Sequence, residues 1–401
     1  MGKTDDQGWQ DLLANLNPYR EPNTENKGQW RPELEKKIAE YRAMKNENIL
    51  EGHQSFNWLF AEDTQYFNKQ PSRDHFTAIQ TMVYDGVPAG PIEPTLNRPL
   101  IYIANINPAI TSCQTEELAR ADKEGGPVDF HTYARVEDAV WIGDQSTENI
   151  IYQQLFLQKK FGSNPKTLKE YLKQNTKRDG YHWYAQHVSE LLRALFHADG
   201  QCNTNMSIEN AKRVLHNYPI QFMELIPYRT QNAKEFLEFL KTNSTMGFQE
   251  KSVKAYQNAI SQGITMKQLA FKGLANGAQV ANLPSTQFVL ANVIERIRQY
   301  YVEKEQLNTS EKLLAPSFII RGYQKWWKPA LQVFLKEKWK YLPEVLKEES
   351  NTATLLANME ERFFWTYKSK RNVSVSRANL VRISGITSED DFWKTFVEPF
   401  R

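Results

Sequence analysis

The spacing of apolar residues changes period several times along the chain. Residues 1–30 are polar, with Asn, Gly and Pro spread through them, and predict an arm rather than a core element. PELEKKIAEYRAMK (32–45) opens with proline and carries Leu34, Ile38, Tyr41 and Met44 at helical spacing, which predicts an amphipathic helix. The Gly- and Pro-rich YDGVPAGPIEPTLNRP (84–99) reads as a loop leading into a short apolar strand at 100–106. That strand stops on Asn107-Pro108, followed by a small residue and the hydroxyls of Thr111 and Ser112.

A helical period then returns over 145–198, with Ile150, Ile151, Leu155 and Phe156 in one segment and His187, Leu191, Leu192 and Leu195 in another. Ser207, Glu209 and Val214-Leu215 predict a further helix at about 207–216. The second strand is YPIQFMELI (218–226), halted by Pro227. Residues 231–312 hold two or three helices, including FVLANVIERIRQYY (288–301), and form a crossover longer than usual. The third strand, SFIIRG (317–322), precedes the helical YQKWWKPALQVFLKEKWK, in which Pro329 predicts a kink. RFFWTYK (362–368) is the fourth strand.

Strands alternating with helices predict an α/β fold: a doubly wound three-layer αβα arrangement around a central parallel four-stranded sheet, with helical insertions and an N-terminal helical extension. The expected division is 1–97 for the extension and 98–401 for the α/β domain, which includes the helical insertion at about 231–312. Ligands of such folds bind beyond the carboxyl ends of the strands, so the polar residues placed there matter most.

Composition narrows the chemistry. No run of about 18 apolar residues occurs, and MGKTDDQGWQ lacks a signal peptide's apolar stretch, so a cytoplasmic protein with no membrane partner is expected. Cys113 and Cys202 are too few for a four-thiolate centre. The seven histidines show no ligand spacing, so neither a metal, a metal cluster nor a cofactor is expected. A net charge of +3 does not by itself argue for nucleic acid. Local charge argues better, because YKSKRNVSVSR (367–377) has four basic residues in eleven and no acid. Ten tryptophans and eighteen tyrosines would serve either as core or as stacking platforms.

At the strand ends the chain resembles the uracil-DNA glycosylase superfamily. Its first motif, of the GQDPYH or GINPG kind, has a counterpart in Ala104-Asn105-Ile106-Asn107-Pro108-Ala109. Its second, HPSPLS or NPSGLSR, is matched by Asn372-Val373-Ser374-Val375-Ser376-Arg377. FIIRG with the following aromatic-rich helix resembles the family's FLLWG segment, and ELIPYRT resembles the stretch after strand two. The landmarks order residues 98–385, leaving the first 97 and most of 231–312 without counterparts. The first motif lacks the Gln and Asp of GQDPYH, and the second lacks the Pro and one residue of NPSGLSR, so fold is better supported than substrate.

The resemblance implies a DNA glycosylase with DNA as its partner. Asn107 would orient the attacking water, with Asn105 assisting or binding a phosphate; both would otherwise cap the turn. Asn372 would donate to the departing base. Pro108, Ser112 and Tyr228 would line the base pocket, and Tyr228, Trp326 and Trp327 would stack on a base or belong to the core. Lys368, Lys370, Arg371, Ser374, Ser376 and Arg377 would hold phosphates, unless the segment is simply a solvated basic loop. Val375 stands where the family has a wedging leucine.

Glu224 departs from the Asn that uracil-directed members place near this point. A carboxylate accepts hydrogen bonds only, which fits a base bearing an exocyclic amine, as in Glu with cytosine N4. Ordinary cytosine must be spared, so a modified cytosine is expected, such as the glucosylated hydroxymethylcytosine of phage DNA excised in antiviral defence. The 231–312 insertion would supply room or sugar contacts. The alternatives are a uracil or damaged-base repair glycosylase, a non-catalytic DNA-binding module on the same fold, and an ion pair of Glu224 with Arg229 or Arg321. A metal-dependent nuclease ranks last, since no carboxylate cluster lies near the strand ends.

Overall fold

The computed structural model describes residues 7–18, 60–67, 101–106, 220–228, 276–306, 313–348, 351–369, 374–385 and 390–400, with a few single residues and pairs between them. Strands β1 (Ile101–Asn105), β4 (Ile220–Glu224), β5 (Ser317–Ile320), β6 (Phe364–Tyr367) and β7 (Leu380–Arg382) form one sheet in the order β4-β1-β5-β6-β7. The first four run parallel. A two-residue pair, β2 (His197–Ala198) with β3 (Gln201–Cys202), makes a separate hairpin.

The chain is therefore α/β, but among the described residues its sheet is five-stranded and mixed rather than parallel and four-stranded, because β7 returns antiparallel to β6. Three residues are too few to display a period of two, so the pattern of the sequence hides this strand. The hairpin at 197–202 likewise ends the helical stretch expected to reach 198, and the Asp199-Gly200 dipeptide between its strands was the available signal. For the helix expected at 32–45, Pro32, Glu33 and Lys36 are helical; the helix expected at 207–216 lies outside the described residues.

Burial explains why the strands read as continuous apolar runs. Every residue of β1 and β5 is buried, as expected for strands with neighbours on both sides. Tyr102, Phe318 and Phe364 are aligned across β1, β5 and β6. Tyr102 stacks on Phe318 at 4.7 Å and Phe318 meets Phe364 edge-on at 5.8 Å, so one face of the sheet carries an aromatic row. Ile101, Ile103 and Asn105 point to the other face.

Helices α1 (Gln7–Leu16), α2 (Pro284–Gln306), α3 (Lys328–Lys338), α4 (Thr352–Arg362) and α5 (Asp391–Phe396) complete the main elements. Segment 1–30 is not simply an arm: Trp9 of α1 is fully buried and its indole donates to Glu295 of α2 at 2.7 Å. Trp9, Leu12, Leu13 and Leu16 recur at helical spacing, an apolar stripe concealed by the polar average. The same glutamate holds Arg298 through two hydrogen bonds, so this charge pair is buried and mutually satisfied.

Helix α2 is buried on every side from Ser285 to Gln299. This part of 231–312 is therefore a core element rather than a peripheral addition reaching toward a ligand. Pro329 falls in the first turn of α3, where its missing N–H costs little. The wide turn Tyr323–Trp327, in π-helical geometry, precedes it. The short helix Asn276–Val280 packs directly beneath that turn. A Cβ on Gly277 would lie 1.8 Å from the Trp326 carbonyl oxygen, so backbone meets backbone there. Gly277→Ala is expected to lower unfolding free energy by about 2–3 kcal/mol in urea titration, through the forced displacement of the turn.

Candidate functional site at the strand ends

Parallel pairing brings the carboxyl ends of β4, β1, β5 and β6 to one edge of the sheet. The chain leaves β1 toward β4, then crosses back to β5, so the order of strands reverses beside β1. Crevices that accept ligands form at such reversals. Asn105 ends β1 and Glu224 ends β4, and the two are register partners. Asn105 Nδ2 donates to Glu224 Oε1 at 3.1 Å, with the residues 2% and 0% exposed. Asn105 Oδ1 is enclosed and has no hydrogen-bond partner among the described residues.

The main chain fixes this pair in place. Asn105 O accepts from Leu225 N at 3.2 Å and from the Trp327 indole at 2.8 Å, while Ile226 N reaches Ile106 O at 2.8 Å. Arg321 N donates to Ala104 O at 2.8 Å, extending the β1–β5 pairing to its last residue. Gly322 then turns the chain with φ 68°, packed so closely on Ile106 that a Cβ would lie 2.9 Å from its Cδ1. The strand-end backbone is thus braced from both neighbours.

At the far side, Tyr367 ends β6. Its hydroxyl is enclosed with no hydrogen-bond partner among the described residues. Burial pushes the phenol upward from its usual range, with the Arg321 guanidinium acting in the opposite direction. Beyond it the β6–β7 loop is organised by Asn379, which the sequence reading did not single out. Its carbonyl accepts from Lys368 N, its Oδ1 from Ser369 N, and its Nδ2 donates to Ser374 O at 3.0 Å. An asparagine just before a short strand, using its side chain to mimic a backbone turn, was the signal available for it.

Apart from Tyr228 and Val375, the expected site residues separate into three groups. Asn105 and Glu224 are brought together. Lys368 and Arg377 are exposed and Ser374 and Ser376 half-buried on the β6–β7 loop, a different strand end. Asn107, Pro108, Ser112, Lys370, Arg371 and Asn372 lie outside the described residues.

Other expectations are corrected. Val375 is 0% exposed and part of the core, so in this conformation it is not presented as a wedge for a duplex. Tyr228 is also fully buried, its hydroxyl accepting from Phe60 N and donating to Asp63 at 2.6 Å. That bonding fixes it as a brace to the N-terminal segment rather than a base-pocket wall. Trp326 and Trp327 are core, and Trp327 spends its donor on the β1 carbonyl. A phosphate-binding role for Asn105 conflicts with its setting, because its amide faces a carboxylate that would repel the anion.

The described residues contain no group of three metal-ligating side chains, and no described helix is long and apolar enough to cross a membrane. No family model, curated protein or solved structure matches this chain.

Proposed function

We propose that this chain is a monofunctional DNA glycosylase, on a doubly wound three-layer fold, that hydrolyses the N-glycosidic bond of a flipped modified cytosine and leaves an abasic site. Glucosylated hydroxymethylcytosine in phage DNA is the best-fitting base, and antiviral defence in the cytoplasm the setting. The observation that carries the reading is the buried Asn105–Glu224 pair at the carboxyl ends of adjacent parallel strands, beside the strand-order reversal. A carboxylate there accepts from an exocyclic amine and disfavours the carbonyl that uracil would offer.

In the reaction, water adds to C1′ as the bond to the base breaks, the base departs with the bonding electrons, and the proton that the water gives up ends on the departed base. Asn107 would hold the water by its side-chain carbonyl. Asn372 would donate to the charge growing on the base. Lys368 and Arg377 support a phosphate contact, being exposed on the loop that follows β6.

Mass spectrometry of bases released in EDTA from unmodified, uracil-containing and phage-modified DNA tests this. The expected product is the modified cytosine, with alkali-labile sites left behind, and Asn107→Ala is expected to slow release at least about 100-fold. Release of uracil with glucosylated DNA untouched would overturn the substrate. Direct backbone cutting that requires magnesium would overturn the glycosylase reading itself. The burial of Val375 favours one second reading, a module that binds DNA without flipping a base. It predicts DNA retention with no base released, unaffected by Asn107→Ala.

A further inference from the structure

We infer that Asn105 is a specificity-determining residue: with Glu224 it forms a double acceptor that takes both hydrogens of a primary amine on the bound base. The inference rests on the glycosylase reading for the identity of the ligand, and on the geometry of the pair for its chemistry.

The Asn105 amide turns its NH2 toward Glu224 in the 3.1 Å contact, the orientation that suits a carboxylate, which offers acceptors alone. That orientation leaves Oδ1 as the amide's remaining acceptor. That oxygen is buried and lacks a partner among the described residues, a state that proteins rarely leave uncompensated. No described backbone N–H reaches it, and the two donors nearby, Leu225 N and the Trp327 indole, are taken by the Asn105 main-chain carbonyl. The Trp327 indole on that carbonyl also holds the strand end, so Asn105 cannot drift to another partner without breaking the brace.

Two acceptors side by side on adjacent strands suit a ligand group with two hydrogens on one nitrogen. The two side chains end in contact on adjacent strands, so an amine set against that end gives one hydrogen to Asn105 Oδ1 and the other to the Glu224 carboxylate. An oxygen in the amine's place meets two acceptors and is repelled, which gives selectivity by rejection as well as by attraction. On this inference Asn105 neither activates water nor touches phosphate. It reads the base through Oδ1 and positions the Glu224 carboxylate through Nδ2.

The test uses four oligonucleotides with one 5-substituted pyrimidine each: the cytosine with an unmodified N4 amine, its N4-methyl and N4-dimethyl derivatives, and the matching uracil. Single-turnover base release by the full chain is measured for wild type, Asn105→Ala and Glu224→Gln, each checked for folding by circular dichroism. Wild type is expected to lose on the order of 10- to 100-fold on the first methyl group and more on the second. In Asn105→Ala the penalty for the first methyl group is expected to collapse toward onefold, because one hydrogen no longer has a receiver. A purely structural role for Asn105 would slow all substrates alike.

Equal release of the amino and N4-methyl bases by wild type would overturn the inference and leave the glycosylase reading standing. If no substrate releases a base, that reading fails, and fluorescence anisotropy on the same oligonucleotides decides the inference. A binding preference for the amine that Asn105→Ala erases would support it, and equal binding would overturn it. Should Asn105→Ala not fold, Glu224→Gln decides, since its amide now donates: preference is expected to move toward the uracil, and an unchanged preference would overturn the pair.

Discussion

Replacing Asp63 by alanine is expected to cost about 3–4 kcal/mol of stability, the largest single loss among the described residues considered. Asp63 is fully buried and accepts from the Tyr228 hydroxyl at 2.6 Å, from Ser285 N at 3.1 Å and from the Ser285 hydroxyl. Ser285 lies in the first turn of α2, where unsatisfied N–H groups and the helix dipole both favour a carboxylate. Alanine would leave three buried donors unmatched, each worth about 1–3 kcal/mol with partial relief by relaxation.

The same carboxylate carries a pH signature. Burial raises its pKa from 3.8 to about 6, overriding the hydrogen bonds from Ser285 and Tyr228, which pull it down. Between these values the folded protein binds more protons at this site than the unfolded chain. Its contribution to stability is therefore fully present below pH 3.8 and lost as pH rises through about 6, by about 3 kcal/mol. Asp63→Asn keeps an acceptor for Ser285 N and Tyr228 but cannot ionise. Urea titrations should show Asp63→Asn gaining on wild type between pH 4.5 and 7.5, a comparison in which titrations shared by the two proteins cancel. A difference that stays constant over that range would mean another group titrates.

On the proposed reading, Asn372→Ala should lower the single-turnover rate of base release by about 10²–10³-fold, or about 3–4 kcal/mol of transition-state stabilisation. The effect should fall on the rate and leave DNA affinity nearly unchanged, because the donor matters only as charge grows on the departing base. Stability should also be preserved, since the described anchors of the β6–β7 loop include the hydrogen bonds of Asn379 and the buried Val375. Asn379→Ala makes the contrast: it should weaken DNA binding and rate together by loosening the loop. A wild-type rate for Asn372→Ala would remove that residue from the chemistry.

Strand positions were legible because a buried parallel strand is an uninterrupted apolar run. IYIAN, IQFME, SFII and FWTY all lie within the expected segments, and prolines or glycine follow three of them closely. Helix α2 was legible as a helix but not as a core element, since Asn292, Glu295, Arg296 and Arg298 give it the polarity of a surface helix. Those groups are tolerated inside because they pair within the helix, as Arg298 does with Glu295 and Asn292 with Phe288 O, and with a donor from far along the chain, the Trp9 indole. Tyr228 and Val375 were misassigned for a related reason: aromatic and aliphatic residues beside a motif look the same whether they face a ligand or the interior.

From residue order alone came the α/β class, the four parallel strands and the polar residues that end them, because each depends on the apolar period of a few neighbouring residues. Tertiary structure alone decided that Asn105 and Glu224, 119 residues apart, share one hydrogen bond, that Asp63 caps α2, and that the sheet closes with an antiparallel β7. Strand order and register come from packing between distant segments, and no local pattern of side chains encodes which strand end will stand beside which.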